Sequence, residues 1–156
     1  MIARRELLFV GAAALLTACA GRKVPPATPA PKTPLHPNET PELRAKINRW
    51  AAHYDVPVGL VHRVIIREST HNPQARNGPY YGLMQILPAT ARGMGYKGPD
   101  AGLLDADTNL QFAVKYLRGA WLLSDGSYDT AVKWYSRGYY YEAKRRGMLK
   151  ETGLRS

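Results

Sequence analysis

Glu68 is the residue of this chain best placed to do chemistry. Val61, Val64 and Ile65 stand seven, four and three residues before it, so all four side chains share one face of an α-helix. Three apolar side chains thus point where Glu68 points, toward a core. Asn72-Pro73 closes this helix, because a residue before proline avoids the α region, and Glu68 falls in the last turn. Burial disfavours a charged carboxylate, and so does the negative end of a helix dipole. Both raise its pKa, and a glutamic acid still protonated near neutral pH is what a general acid requires. Taken alone, the pattern fits equally well a solvated helix-end carboxylate paired with Arg63 or Arg67.

Other chemistries are poorly supplied. Ser69 follows Glu68, but no His-Asp pattern marks it as a nucleophile, and support of the helix end is its expected role. The histidines are His36, His53, His62 and His71, whose spacing matches no metal motif. No metal and no cofactor are therefore expected. Cys19 is the single cysteine, which excludes an intramolecular disulfide. The 22 Lys+Arg against 12 Asp+Glu leave a net charge of +10. That charge predicts a polyanionic partner or surface and says nothing of fold.

The elements around Glu68 read as helices. Thr40-Pro41-Glu42 has the order of an N-cap, a proline at the first helical position and a first-turn acid. Leu43, Ile47, Trp50, Ala51 and Tyr54 continue it at helical spacing. A second helix runs from Leu60 to Glu68. Asn77-Gly78-Pro79 is a turn signal, with room for a small hairpin between Arg76 and Tyr81. Pro88 opens a short helix closed by Gly93 and Gly95. Asp107 to Ser124 is the longest, with Leu110, Ala113, Val114, Leu117 and Trp121 on one stripe. Ser127 caps a fifth helix holding Trp134 and Tyr135, and a sixth spans about Tyr140 to Arg146. Trp50, Trp121 and Trp134 sit on stripes and are expected in the core. Tyr139-Tyr140-Tyr141 cannot all face inward, so some must lie in a groove or on the surface. The expected fold class is mainly α, with at most a tiny hairpin, and 156 residues provide for one domain of ordinary size.

The start of the chain reads as an address. Arg4-Arg5 precedes an apolar run of about ten residues, too short to span a bilayer and typical of a signal peptide. Residues 1–18 are read as that signal. Leu16-Thr17-Ala18-Cys19 resembles a bacterial lipoprotein box, which implies acylation of Cys19 and a membrane anchor. The mature chain is then expected to face the periplasm, and Ala20 after the cysteine points to the outer membrane. There nucleic acid is scarce and is not an expected partner. Residues 19–40 carry Pro25, Pro26, Pro29, Pro31, Pro34 and Pro37 and almost no large apolar side chains. They are read as an extended tether reaching on the order of 60 Å. Residues 147–156 are read as a C-terminal tail.

Taken together, these motifs resemble the catalytic domain of the soluble lytic transglycosylase family, relatives of goose-type lysozyme. The resemblance covers residues 41–146. It rests on Glu68-Ser69 with Asn72-Pro73 and Ala75, on Gly82-Leu83-Met84-Gln85-Ile86 with Pro88, Thr90 and Ala91, and on Asn109 to Leu117 with Trp134-Tyr135-Ser136-Arg137-Gly138. Glu-Ser alone carries nothing, whereas Glu-Ser followed fourteen residues later by Gly-Leu-Met-Gln is specific. The resemblance implies a lysozyme-like α-helical fold and cleavage of the β-1,4 bond between N-acetylmuramic acid and N-acetylglucosamine in peptidoglycan. Glu68 would act first as acid and then as base on the muramic 6-hydroxyl, leaving a 1,6-anhydro end. It further implies that Gln85 contacts the sugar and that Tyr135 hydrogen-bonds Glu68. Gly82 would permit close backbone approach, and Met84 and Ile86 would line the wall of the site.

Ser136 stands where the family usually has asparagine, and Pro79-Tyr80-Tyr81 where small residues are usual. His71 takes a place often held by a large apolar residue. A lysozyme-type hydrolase on the same fold would need a second carboxylate about 5 to 9.5 Å from the first, and no acid occurs between Glu68 and Asp100. Asp100, Asp105 and Asp107 are read as capping residues. A non-catalytic wall-binding lipoprotein is the remaining alternative. A protein partner is not legible in the sequence.

Overall fold

The computed structural model describes residues 33–155. The expected signal peptide, Cys19 and most of the tether lie outside the described residues. Among those described there are six α-helices and one two-stranded hairpin, the mainly α architecture expected. The helices are α1 (Pro41–His53), α2 (Val58–Glu68), α3 (Pro88–Gly93), α4 (Ala106–Leu122), α5 (Tyr128–Arg137) and α6 (Tyr140–Arg145). Strands β1 (Arg76–Asn77) and β2 (Tyr80–Tyr81) pair antiparallel, Arg76 opposite Tyr81 and Asn77 opposite Tyr80. Asp100–Leu104 forms a 3-10 turn.

The chain caps its helices as its local chemistry dictates. Thr40 accepts from the Leu43 N–H at the start of α1, and Pro41 takes the first turn. Asp105 and Ser127 do the same for α4 and α5. α4 is the central element. It packs against α1, α3, α5 and the 3-10 turn, and Leu110, Ala113, Val114, Leu117 and Ala120 are fully buried along it. α2 lays Leu60, Val61, Val64 and Ile65 into the same core. The tryptophans are partly buried against this core. Of the tyrosine run, Tyr139 is buried with its hydroxyl donating to the Tyr116 carbonyl at 2.8 Å, while Tyr141 is 84% exposed.

Both ends of the folded unit extend past the boundaries expected from sequence. The tether was expected to run to Thr40, yet residues 36–39 form a turn on the domain rather than an extended arm. Glu39 is buried, accepts from the His36 N–H at 2.8 Å and takes a two-pronged ion pair from Arg44. Likewise residues 148–154 are not a loose tail. Met148, Leu149 and Leu154 pack on the core, Thr152 is buried, and Arg118 donates to the Glu151 carbonyl at 2.8 Å. Composition marks neither segment, because each is held by a few specific contacts rather than by an apolar stripe.

Candidate active site

α2 ends at Glu68 because the two residues after Ser69 leave the helical region. Thr70 and His71 both have positive φ, 49° and 63°, which non-glycine residues seldom adopt. The helix therefore stops four residues before Asn72, and Glu68 is its last residue. Ser69 closes the end: its N–H bonds the Ile65 carbonyl at 2.9 Å, and its hydroxyl donates to the Leu83 carbonyl at 2.7 Å. Ser69 thus ties the helix end to the Gly82–Ile86 loop, the supporting role expected of it.

Glu68 opens into a cleft lined also by Arg67, Tyr80, Gln85, Tyr116, Tyr135 and Arg137. Its side chain is 24% exposed, enough for a ligand to reach and little enough to feel desolvation. Burial pushes its pKa up, partly opposed by the Arg67 guanidinium, whose Nε lies 3.6 Å from the carboxylate. Among the described residues Glu68 is the only carboxylate lining the cleft. The three candidates for a second carboxylate are engaged elsewhere. Asp100 pairs with Arg92, Asp105 caps α4, and Asp107 accepts from Arg49 and the Trp50 indole.

The Gly82–Ile86 loop is held from behind by Asn109, whose role sequence reasoning missed. Asn109 is completely buried. Its carbonyl oxygen accepts from the Met84 N–H at 3.0 Å, and its amide donates to the carbonyls of Tyr81 and Leu103, both at 2.8 Å. The signal was present in the sequence. Asn109 shares a helix face with Ala113 and Leu117, and a polar side chain on an apolar stripe must find partners inside.

Several site expectations are revised by this geometry. Gly82 does have φ +70°, but what approaches it is the protein itself. A Cβ there would lie 2.5 Å from both the Leu103 carbonyl and the Asn109 amide. Gly82→Ala is therefore expected to cost about 3 kcal/mol or more, from backbone strain and overpacking together, measured by urea unfolding. Met84 is fully buried and outside the cleft, so its side chain is core, not a wall that substrate touches. Its backbone is what matters: the N–H goes to Asn109 and the carbonyl accepts from Tyr135. Ile86 does line the cleft.

Gln85 borders the cleft, although it is 8% exposed and has φ 48°. Its amide nitrogen donates to the carbonyls of Ala75 and Gly82, at 3.0 and 2.9 Å. Both amide protons are thereby used to brace the loop, and only the amide oxygen is left for a ligand.

The Tyr135 hydroxyl donates to the Met84 carbonyl at 2.8 Å, not to Glu68 as the resemblance implied. Burial holds its pKa far above the usual tyrosine range, and the nearby Glu68 charge adds to that. With its proton committed to Met84, the hydroxyl can meet Glu68 only as an acceptor, and so only while Glu68 is protonated. Ser136, in place of the usual asparagine, bonds back to the Val132 carbonyl at 3.0 Å within its own helix.

The arrangement offers one carboxyl of raised pKa in a half-dry cleft, with a buried amide and a buried phenol fixing the loop. This agrees with a comparison at the family level. A family model described as a transglycosylase SLT domain matches residues 45–146, more than half of the chain. The mostly helical architecture with one small hairpin is the lysozyme-like fold of that family. The chain belongs to the transglycosylase SLT domain family.

Proposed function

We propose that this protein is a peptidoglycan lytic transglycosylase. The observation that carries the proposal is the solitary carboxyl. Burial favours the protonated form of Glu68, and no second carboxylate among the described residues lines the cleft. A hydrolytic glycosidase divides acid and base or nucleophile between two carboxylates. One carboxyl must do both tasks in turn. Glu68 first protonates the glycosidic oxygen between N-acetylmuramic acid and N-acetylglucosamine. As a carboxylate it then takes the proton of the muramic 6-hydroxyl, whose oxygen closes on the anomeric carbon. The product is a 1,6-anhydromuramic end, and no water is consumed. With its nitrogen bonded to two carbonyls, Gln85 would use its amide oxygen to accept from a sugar hydroxyl or amide. Arg67 and Arg137 also face a neighbouring hollow with Lys133, a cationic border that suits the carboxylates of peptide stems.

Mass spectrometry of fragments released from purified peptidoglycan tests this reading. Fragments ending in 1,6-anhydro-N-acetylmuramic acid are expected. Fragments heavier by one water would establish a lysozyme-type hydrolase, and none at all from folded protein would leave wall binding as the function. The pH profile supplies a finer check. Because the acid form of Glu68 starts the reaction, kcat/KM falls as pH rises through its raised pKa. Arg67 opposes that rise, so Arg67→Met is expected to move the falling limb to higher pH.

The proposal extends to location. The Arg4-Arg5 start, the short apolar run and Ala18-Cys19 support acylation of Cys19 and anchoring on the periplasmic side, at the outer membrane. Cys19→Ala should shift the protein from the membrane fraction to the soluble one.

A further inference from the structure

Three of the four histidines, far apart in sequence, meet at one point of the fold. His62 lies on α2, His71 in the turn after it, and His36 on the segment before α1. Together with Glu39 they present donor atoms that all lie within 4.8 Å of one another. His62 is 9% exposed and His71 fully buried. His62 Nδ1 faces His71 Nε2 at 3.0 Å. Two nitrogens on a tetrahedral zinc ion, each about 2.0 Å from the metal, stand about 3.3 Å apart, so this pair is already close to ligand spacing. The His36 ring lies against both, with centroid separations of 4.8 and 4.9 Å.

The surroundings suit a cation as well as the donors do. Glu39 Oε1 is 3.9 Å from His62 Nε2, too far for a hydrogen bond but near enough for its negative charge to favour a cation among the rings. Glu39 also holds Arg44, and that pair is neutral in sum, so the guanidinium does not confront an ion uncompensated. An ordinary core position does not call for a fully buried imidazole whose hydrogen-bond partner is a second buried imidazole. Nor does it call for the two consecutive left-handed residues, Thr70 and His71, that aim this ring at His62. A hollow lined by His36, Arg44, Asn48, His62 and Ile66 opens from the surface and gives an ion a path in. It shares no residue with the cleft around Glu68.

We propose that His36, His62 and His71 form a binding site for a divalent transition metal of the zinc class, with the Glu39 carboxylate beside them. All-imidazole donors favour zinc, copper or nickel over calcium or magnesium. The metal staples the segment before α1 to the end of the helix that carries Glu68, so its role is structural. The site stands apart from the proposed reaction, and its test does not depend on it.

The experiment uses the full chain purified in detergent. Co²⁺ alone is titrated in and the visible bands of four-coordinate Co²⁺ are followed. Zn²⁺ is then added as competitor, and bound Zn²⁺ per chain is measured by elemental analysis. One tightly bound Zn²⁺ that displaces Co²⁺ is expected, with a rise in Tm on adding Zn²⁺. His62→Gln and His71→Gln should abolish stoichiometric binding. His36→Ala, on the half-buried segment and therefore expected to fold, should weaken it by more than about 100-fold and remove the Zn²⁺-dependent rise in Tm. Circular dichroism confirms that each variant is folded. Wild-type protein that binds no Zn²⁺ would overturn the proposal. So would binding that a folded His36→Ala or His62→Gln variant retains in full.

Discussion

Glu68→Gln should lose at least about 10³-fold in turnover on peptidoglycan, the scale that a positioned general acid contributes, while still sedimenting with the insoluble wall. Glutamine keeps the shape and an amide oxygen but cannot deliver a proton. The same variant should be more stable than wild type at pH 7. The pKa of Glu68 is raised in the folded state, chiefly by burial. Between its unfolded value and that raised value, the unfolded chain sheds the proton more readily than the native one. Stability therefore falls as pH climbs through this window, and above it the carboxylate works against folding. A neutral glutamine removes that penalty. Opposite changes in activity and Tm would identify a residue kept for chemistry. Parallel losses in both would mean that Glu68 is a structural ion-pair partner of Arg67, and the proposed mechanism would fail.

The second large effect is expected at Asn109, which touches no substrate. Asn109→Ala leaves the Met84 N–H and the carbonyls of Tyr81 and Leu103 without their buried partner. Each buried polar group left unsatisfied costs about 1–3 kcal/mol. Partial relaxation gives a net loss of about 3–5 kcal/mol, and hence a fall in Tm on the order of 10–20 °C for a domain of this size. Thermal unfolding followed by circular dichroism measures it. Activity should fall too, even at temperatures where the variant is folded. The Met84 N–H that Asn109 fixes sits in the same residue whose carbonyl receives the Tyr135 hydroxyl, so losing one anchor loosens the other. A change in Tm below about 1 kcal/mol equivalent would show that the loop is held by Ser69, Gln85 and Tyr135 without Asn109.

Local chemistry made much of this protein legible before any coordinates. Helix starts were readable at Thr40-Pro41, Pro88 and Ser127, because a cap or a proline acts on its own turn. The stripe Leu110, Ala113, Val114, Leu117 identified the central helix because burial repeats with the helical period. Glu68 at the end of an apolar face placed a carboxyl against the core, and the family pattern around it pointed to the cleft. What sequence could not show was direction and convergence. Gly82 and Met84 look like site residues from their neighbours. Only packing reveals that Gly82 makes room for Asn109 and that the Met84 side chain is turned into the core. Tyr135 reads as a partner of Glu68, but the fold offers its proton a nearer backbone carbonyl. The segments 36–39 and 148–154 have no periodicity to announce them, since an ion pair docks the first and a few scattered apolar side chains and hydrogen bonds dock the second. His36, His62 and His71 match no linear metal motif, because their closeness depends on how α2, its left-handed turn and the preceding segment pack. The sequence by itself determined the helices and the place of Glu68 at the end of one, through interactions that act within a turn or two of the chain. Tertiary structure alone decided which backbone groups hold the loop and which distant side chains meet, because those partners are chosen by the packing of whole elements.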